Sequence, residues 1–343
     1  MDAILLPCQK SLGIGKSVFI IVDIGKNHMG NIELAKFLID KAAEAGVDAV
    51  KFQTHVVDDE QRKEHVISPH YAKPRYEWLK KNTYPLEWWK ELAEHAKKKN
   101  IIFFSTPMSV AAVDLLEQVG VPLYKVGSGD VTDLFLLEAI GRTGKPVILS
   151  SGMSELHEVE RAVKTLKIFT DKVVLMHCVS EYPCPPEHLN LRVIQTLQQK
   201  FALPVGLSDH VLEFETAYAA VALGAVALEK HLTLDRQLPG PDHKVSLIPS
   251  ELSLFVRQVR NVEKSLGDGV KRVLEGEAKF RPVFHKSIVA RVPIKKGTVI
   301  EKALLTVKRP GGGFYPHELE KVIGKKAAND IAQDALLLPS DLA

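Results

Sequence analysis

The chain is short of cysteine: three in 343 residues, Cys8, Cys178 and Cys184, too few and too scattered to frame a disulfide scaffold, and none in a Cys-x-x-Cys pair. Reduced thiols are expected. It has no apolar run of 18 residues and so no candidate membrane helix, and Met1 to Lys16 contains no long apolar stretch with a small-residue cleavage site. A cytoplasmic protein is the expectation. An excess of one charge is missing too: 45 Lys and Arg against 42 Asp and Glu leave a net +3, too little to argue for nucleic acid. The imbalance is local, because residues 276–343 hold twelve Lys and Arg against seven Asp and Glu, leaving 33 against 35 for the first 275. A basic C-terminal segment suits a surface that faces an anionic ligand.

What the sequence does have is an alternation of short β-rich runs with helical stretches. FIIVDIG (19–25) precedes IELAKFLIDKAAEAG, whose apolar residues recur at three and four, and DAVKFQ (48–53) follows, completing one βαβ unit. IIFFST (101–106), LYKVGS (123–128), PVILSSG (146–152), KVVLMHC (172–178), LPVGLSD (203–209) and AVALEKH (225–231) continue the series, with a last helix at about 250–266. Eight such strands in roughly 250 residues predict an α/β fold, a (β/α)8 TIM barrel. A doubly wound sheet would alternate in the same way but more often carries a GxGxxG turn after its first strand, and DIGKNHMG is not one.

The segment from about Val57 to Tyr84 is long, polar and aromatic-rich, and reads as a functional loop. After Leu266 the helical period is lost. The expected division is a barrel at 1–270, a linker at 271–282 and a small β-rich domain at 283–343, whose thin core would lean on a partner surface.

In such a barrel the reacting groups come from the C-terminal ends of the strands, and here every strand ends in polar residues. His210 and His231 close neighbouring strands, so their imidazoles can converge on one Mn²⁺ or Mg²⁺ whose shell is completed by carboxylates and water. Lys51, Lys125, Ser128, Ser150 and Ser208 place two cations and three hydroxyls around one mouth, as recognition of a small phosphorylated anion requires. A buried lysine without a partner is uncommon, and two together favour a phosphate-bearing substrate.

The stretches DIGKNHMGN, VKFQTH, YKVGSGD, ILSSGM, HCVSEYPCP, GLSDH, LEKHLTLD and GPDHKVSL, followed by KSIVA and VKRPGGG, resemble the sialic acid (N-acetylneuraminate) synthases and the synthases of other nonulosonic acids, from about residue 18 to the end. That resemblance implies a barrel joined to a small antifreeze-like (SAF) domain, and a domain-swapped homodimer in which that domain caps the partner's site. It implies condensation of phosphoenolpyruvate with an N-acetylated sugar such as N-acetylmannosamine, with release of phosphate. By matching motif, Lys51, Lys125, Ser128, Ser150, Ser180 and Ser208 would hold phosphoenolpyruvate, and His210 and His231 a divalent metal, Mn²⁺ or Mg²⁺, that polarises the aldehyde. Gln53, Tyr182 and Asp242 would position the sugar, with Gln53 and Tyr182 counted beside Asp23 as catalytic, and Arg309 would reach the N-acetyl group from the other subunit. Asp23 stands in Val-Asp-Ile-Gly where the family typically has Ala-Glu-Ile-Gly, and the substrate-binding Asp130 in GSGD where several relatives have GSGE. Both keep the carboxylate at shorter reach, which suits a somewhat different substrate. The alternatives are a synthase of the legionaminic type, a synthase of the 9-phosphate, a non-catalytic carbohydrate-binding homologue, and a metal-dependent aldolase using free pyruvate. Arg62, Lys63, Lys73 and Arg75, in the loop after the second strand, leave a phosphorylated sugar open.

Overall fold

A computed structural model describes residues 3–63 and 75–343, in two compact units, Met1–Gly267 and Asp268–Ala343. In the first, β1 (Ile4–Leu5) and β2 (Ser11–Leu12) pair as a short antiparallel hairpin. Eight parallel strands follow: β3 (Phe19–Gly25), β4 (Ala49–Thr54), β5 (Ile102–Pro107), β6 (Tyr124–Val126), β7 (Val147–Ser150), β8 (Val173–Cys178), β9 (Val205–Ser208) and β10 (Ala227–His231). They pair in sequence order and β10 closes on β3, giving the TIM barrel that the alternation predicts.

Strands covered on both faces read as continuous apolar runs, and the period of two then sorts their side chains. On β3, Ile20, Val22 and Ile24 join the cluster that includes the helices, while Phe19 and Ile21 join an inner cluster with Ala49, Ile102, Phe104, Leu123, Ile148, Val174, Met176 and Ala227. Ile4, Leu6 and Leu12 belong to that inner cluster, so the hairpin packs on the bottom layer of the barrel. The helix Ile32–Ala45 shows why the outer layer forms. Asn31 caps it by accepting from the amides of Glu33 and Leu34, Gly46 ends it in the left-handed region, and Ala35, Leu38, Ile39 and Ala42 bury one stripe.

The segment after β4 is not a plain loop. Val57–Glu60 and Arg75–Lys81 are helical, and 64–74, with Lys73, lie outside the described residues. No helix among the described residues is long and apolar enough to cross a membrane.

In the second unit, a short helix, Glu275–Ala278, falls within the stretch expected to be a linker, and a second, Arg281–Phe284, begins there and runs on past it. Next, β11 (Ser287–Ala290) pairs antiparallel with β12 (Leu305–Lys308) over a core that includes Ile288, Ile294, Ile300, Val322, Ile331 and Leu337.

Candidate active site

The inward-facing positions that are apolar low in the barrel become polar one step higher. Continuing the inner series of each strand by two residues leads from Ile21 to Asp23, Ala49 to Lys51, Phe104 to Thr106, Leu123 to Lys125, Ile148 to Ser150, Met176 to Cys178 and Ala227 to Glu229. Register fixes the neighbours: His231 lies opposite Asp23 and Asp23 opposite Lys51, while Ser208 lies opposite both Cys178 and Glu229.

Four buried charges meet there. Lys51 Nζ is 2.7 Å from Asp23 Oδ2 and 3.8 Å from Glu229 Oε1, and it also donates to Thr106 Oγ1 at 3.3 Å. Lys125 Nζ donates to both oxygens of Glu229 at 2.9 Å, and Ser208 Oγ donates to Oε1 at 3.1 Å. The two lysines therefore have partners within the chain, Asp23 and Glu229. Burial works against every charge in the group. Lys51 is nevertheless held above its usual value, because Asp23 and Glu229 outweigh its desolvation, and Lys125 and Lys51 hold Glu229 well below the usual carboxylate range.

A cleft of about 440 Å³ opens above this group. Asp23, Lys51, Gln53, Lys125, Ser128, Asp130, Ser150, Ser180, Tyr182, Ser208, His210, His231 and Asp242 all line it. Two glycines keep it open. A Cβ on Gly152 would lie 2.5 Å from Ser180 Oγ and 2.6 Å from Ser128 Oγ, and one on Gly25 would lie 3.1 Å from Gln53 Nε2 and 3.4 Å from both Asp23 Oδ1 and Asp242 Oδ2. Asn27 Nδ2 donates to Leu232 O and Ser246 Oγ, each at 2.8 Å, and Ser246 Oγ donates to Asp242 O, which ties the loop carrying Asp242 to the end of β3. His28 accepts from the Gly30 amide and His177 Nε2 bonds Leu189 O, so these two strand-end histidines serve local structure.

Arg309 belongs to the second unit, where its Nε donates to Phe284 O at 2.6 Å. The glycines after it make close approaches inside that unit: the Gly311 amide donates to Pro282 O, and those of Gly312 and Gly313 to Ser287 Oγ.

The rings of His210 and His231 stack with centroids 5.5 Å apart, and Tyr182 lies 4.1 Å from His210. His210 Nδ1 pairs with Val179 O at 2.8 Å, which leaves Nε2 as the donor atom on the cleft side. His231 Nδ1 and Asp23 Oδ1 are buried without a hydrogen-bond partner. Among the described residues, no group of three or more His, Cys, Asp or Glu is gathered for an ion. The two imidazoles offer at most two protein ligands, so a divalent cation held there would take its remaining positions from water and substrate. Cys178, which the sequence reading left without a role, touches the same set. Burial would raise its thiol, but bonding to His210 and the charge beside it bring it down to about 7.

A second charged group lines the same cleft: Glu60, Arg75 and Asp130. Burial raises Glu60 to about 7 and Asp130 to about 6, and Arg75 opposes the rise in both. His55 Nδ1 braces Glu60 at 2.7 and 2.8 Å from its two oxygens. Arg62 and Lys63, by contrast, are exposed. Asp130 in GSGD and the position of Arg75 in the polar segment after β4 are the sequence signals for this group, and Glu60 has none.

The family model described as NeuB family matches residues 38–271, and the SAF domain model matches residues 285–343. The N,N'-diacetyllegionaminic acid synthase of Campylobacter jejuni is 39% identical over 331 residues, covering 94% of this chain and 99% of its own. The human N-acetylneuraminate-9-phosphate synthase is 35% identical, covering 92% of this chain and 90% of its own length. Among solved structures, the N-acetylneuraminic acid (sialic acid) synthetase of Leptospira borgpetersenii superposes with a TM-score of 0.73 at 36% identity, over 81% of this chain and 94% of that one.

Proposed function

The chain belongs to the NeuB family, with an SAF domain at its C-terminal end, and from that premise we propose that it is a sialic acid synthase-like enzyme that condenses phosphoenolpyruvate with an N-acetylated sugar. The observation that carries this reading is the pair of buried lysines with Ser128, Ser150, Ser180 and Ser208 around one cleft, a donor set made for an anion carrying both phosphate and carboxylate.

In this scheme Lys51 and Lys125 hold the phosphate and carboxylate, and the serine hydroxyls fix their orientation. Gln53, Tyr182 and Asp242 bring the sugar aldehyde over the enol carbon, converting a bimolecular encounter into a positioned one. The enol C3 attacks the aldehyde carbon, forming the C–C bond, and the aldehyde oxygen takes a proton from solvent. The cationic C2 left behind takes up water, whose proton Asp23 Oδ1, lacking any other partner, is placed to accept. Cleavage of the C–O bond to phosphate, with the proton of the new C2 hydroxyl passing to the departing phosphate, then gives the 2-keto acid. A divalent ion, Mn²⁺ or Mg²⁺, held by His210 and His231 would supply Lewis acidity to the aldehyde. Arg309 reaches the sugar from a second copy of the chain.

The test incubates purified protein with Mn²⁺, phosphoenolpyruvate labelled with ¹⁸O at the bridging oxygen, and a panel of N-acetylated sugars. Labelled phosphate released only when a sugar is present is expected. Product formed from free pyruvate without phosphate release would overturn the reading in favour of an aldolase.

A further inference from the structure

The lining of the cleft divides into two charge groups that do not share partners. The carboxylates paired with Lys51 and Lys125 are Asp23 and Glu229, whereas the cation that acts on both Glu60 and Asp130 is Arg75. The first group is accounted for by the enol phosphate and the aldehyde. The second lies on the βα segments of β4 and β6, with Met108 and Met153 also lining the cleft, and the condensation as written gives it no task.

Resting on the function proposed above, we propose that Arg75, Glu60 and Asp130 read the half of the sugar beyond C3, and that they select an uncharged acylamino substituent on C4 over a phosphate on C6. An amide offers one donor and one acceptor, which match a carboxyl group and a guanidinium side by side, whereas a phosphate dianion offers acceptors alone. A phosphate in this corner would meet one arginine flanked by two carboxyl groups. The site that suits a phosphate in this chain is built the other way, with two lysines and several hydroxyls. Arg75 Nε is buried without a hydrogen-bond partner, so the guanidinium keeps donor capacity for a ligand. Glu60 is fixed from behind by His55. Met108 and Met153 provide adaptable apolar contact for an acyl methyl group.

The experiment compares N-acetylmannosamine, its 6-phosphate and a 2,4-diacetamido-2,4,6-trideoxyhexose with the full-length protein, both in turnover and in equilibrium binding by calorimetry. The diacetamido sugar is expected to exceed the 6-phosphate in kcat/KM by about a hundredfold, the scale reached when a site built for one polar group rejects another. Arg75→Met should raise the KM for the diacetamido sugar by about tenfold with the KM for phosphoenolpyruvate unchanged. The double variant Glu60→Gln, Asp130→Asn should narrow the gap to the phosphorylated sugar. Preference for the 6-phosphate, or equal loss of both substrates in Arg75→Met, overturns the proposal while leaving the condensation intact. Absence of phosphate release with every sugar would instead sink the condensation, and the order of the three sugars in the binding arm would still decide this inference.

Discussion

Glutamine at position 229 is close to isosteric with the glutamate it replaces, yet it removes the carboxylate that pairs Lys125 through both oxygens and stands 3.8 Å from Lys51. All three side chains are nearly inaccessible, at 3–5% exposure. Asp23 can still compensate Lys51, so the loss falls on Lys125, left as a buried ammonium facing an amide. Breaking one partner out of a buried pair costs about 3–5 kcal/mol, because the remaining charge keeps its desolvation penalty. At about 2–4 °C per kcal/mol for a domain of this size, the unliganded Glu229→Gln protein should melt roughly 6–20 °C below the parent. An anion that occupies the lysines restores the missing charge, so phosphoenolpyruvate should raise the Tm of the variant by more than it raises that of the parent. The assay is thermal unfolding by calorimetry or near-UV circular dichroism, with and without millimolar phosphoenolpyruvate. A variant as stable as the parent, or one stabilised by the ligand to the same degree, would refute the view that Glu229 is the internal counter-charge of Lys125.

Four further outcomes are expected. Gly152→Ala should raise the KM for phosphoenolpyruvate by at least about tenfold with little change in Tm, because the new methyl displaces the hydroxyls of Ser128 and Ser180; an unchanged KM would show that those hydroxyls do not bind it. Excess EDTA, or His231→Ala, should abolish turnover and weaken calorimetric Mn²⁺ binding, whereas full activity under either condition removes the metal from the mechanism. Mixing Arg309→Ala with His231→Ala subunits should recover part of the activity through hybrid dimers, and a mixture no better than its parents after proven subunit exchange counts against capping in trans. Burial lowers Lys26 from 10.5 to about 7, so between those values the unfolded chain holds a proton that the native one lacks. Stability should therefore rise with pH through that window by up to about 1.4 kcal/mol per unit, and a Lys26→Met protein that shows the same slope would disprove the assignment.

The barrel was legible because its strands announce themselves twice, as apolar runs and as polar terminal pairs such as Ser105-Thr106 and Ser150-Ser151. Lys51 and Lys125 could be picked out for the same reason, since charge at the end of an apolar run has few places to go. Their pairing with Glu229 could not, because it joins residues 104 positions apart through a register that only barrel closure sets. The hairpin at β1 and β2 escaped notice because two-residue strands carry no periodicity. Arg75 lies in a segment whose polar composition says only that it is exposed somewhere, and its place on the same cleft as Glu60 and Asp130 depends on the short helix Val57–Glu60, too brief to leave a helical pattern.

That inconspicuous hairpin sets the traffic of the reaction. With Ile4, Leu6 and Leu12 packed against the lowest layer of the barrel, ligands pass through the upper mouth, and what binds deepest must arrive first and depart last. Lys51 and Lys125 sit among the strand ends, below Asp242 in the loop that follows β10, so in the proposed condensation the phosphorylated substrate should lead and the sugar follow. Steady-state kinetics should then be compulsory-order, with inorganic phosphate competing against phosphoenolpyruvate at every sugar concentration.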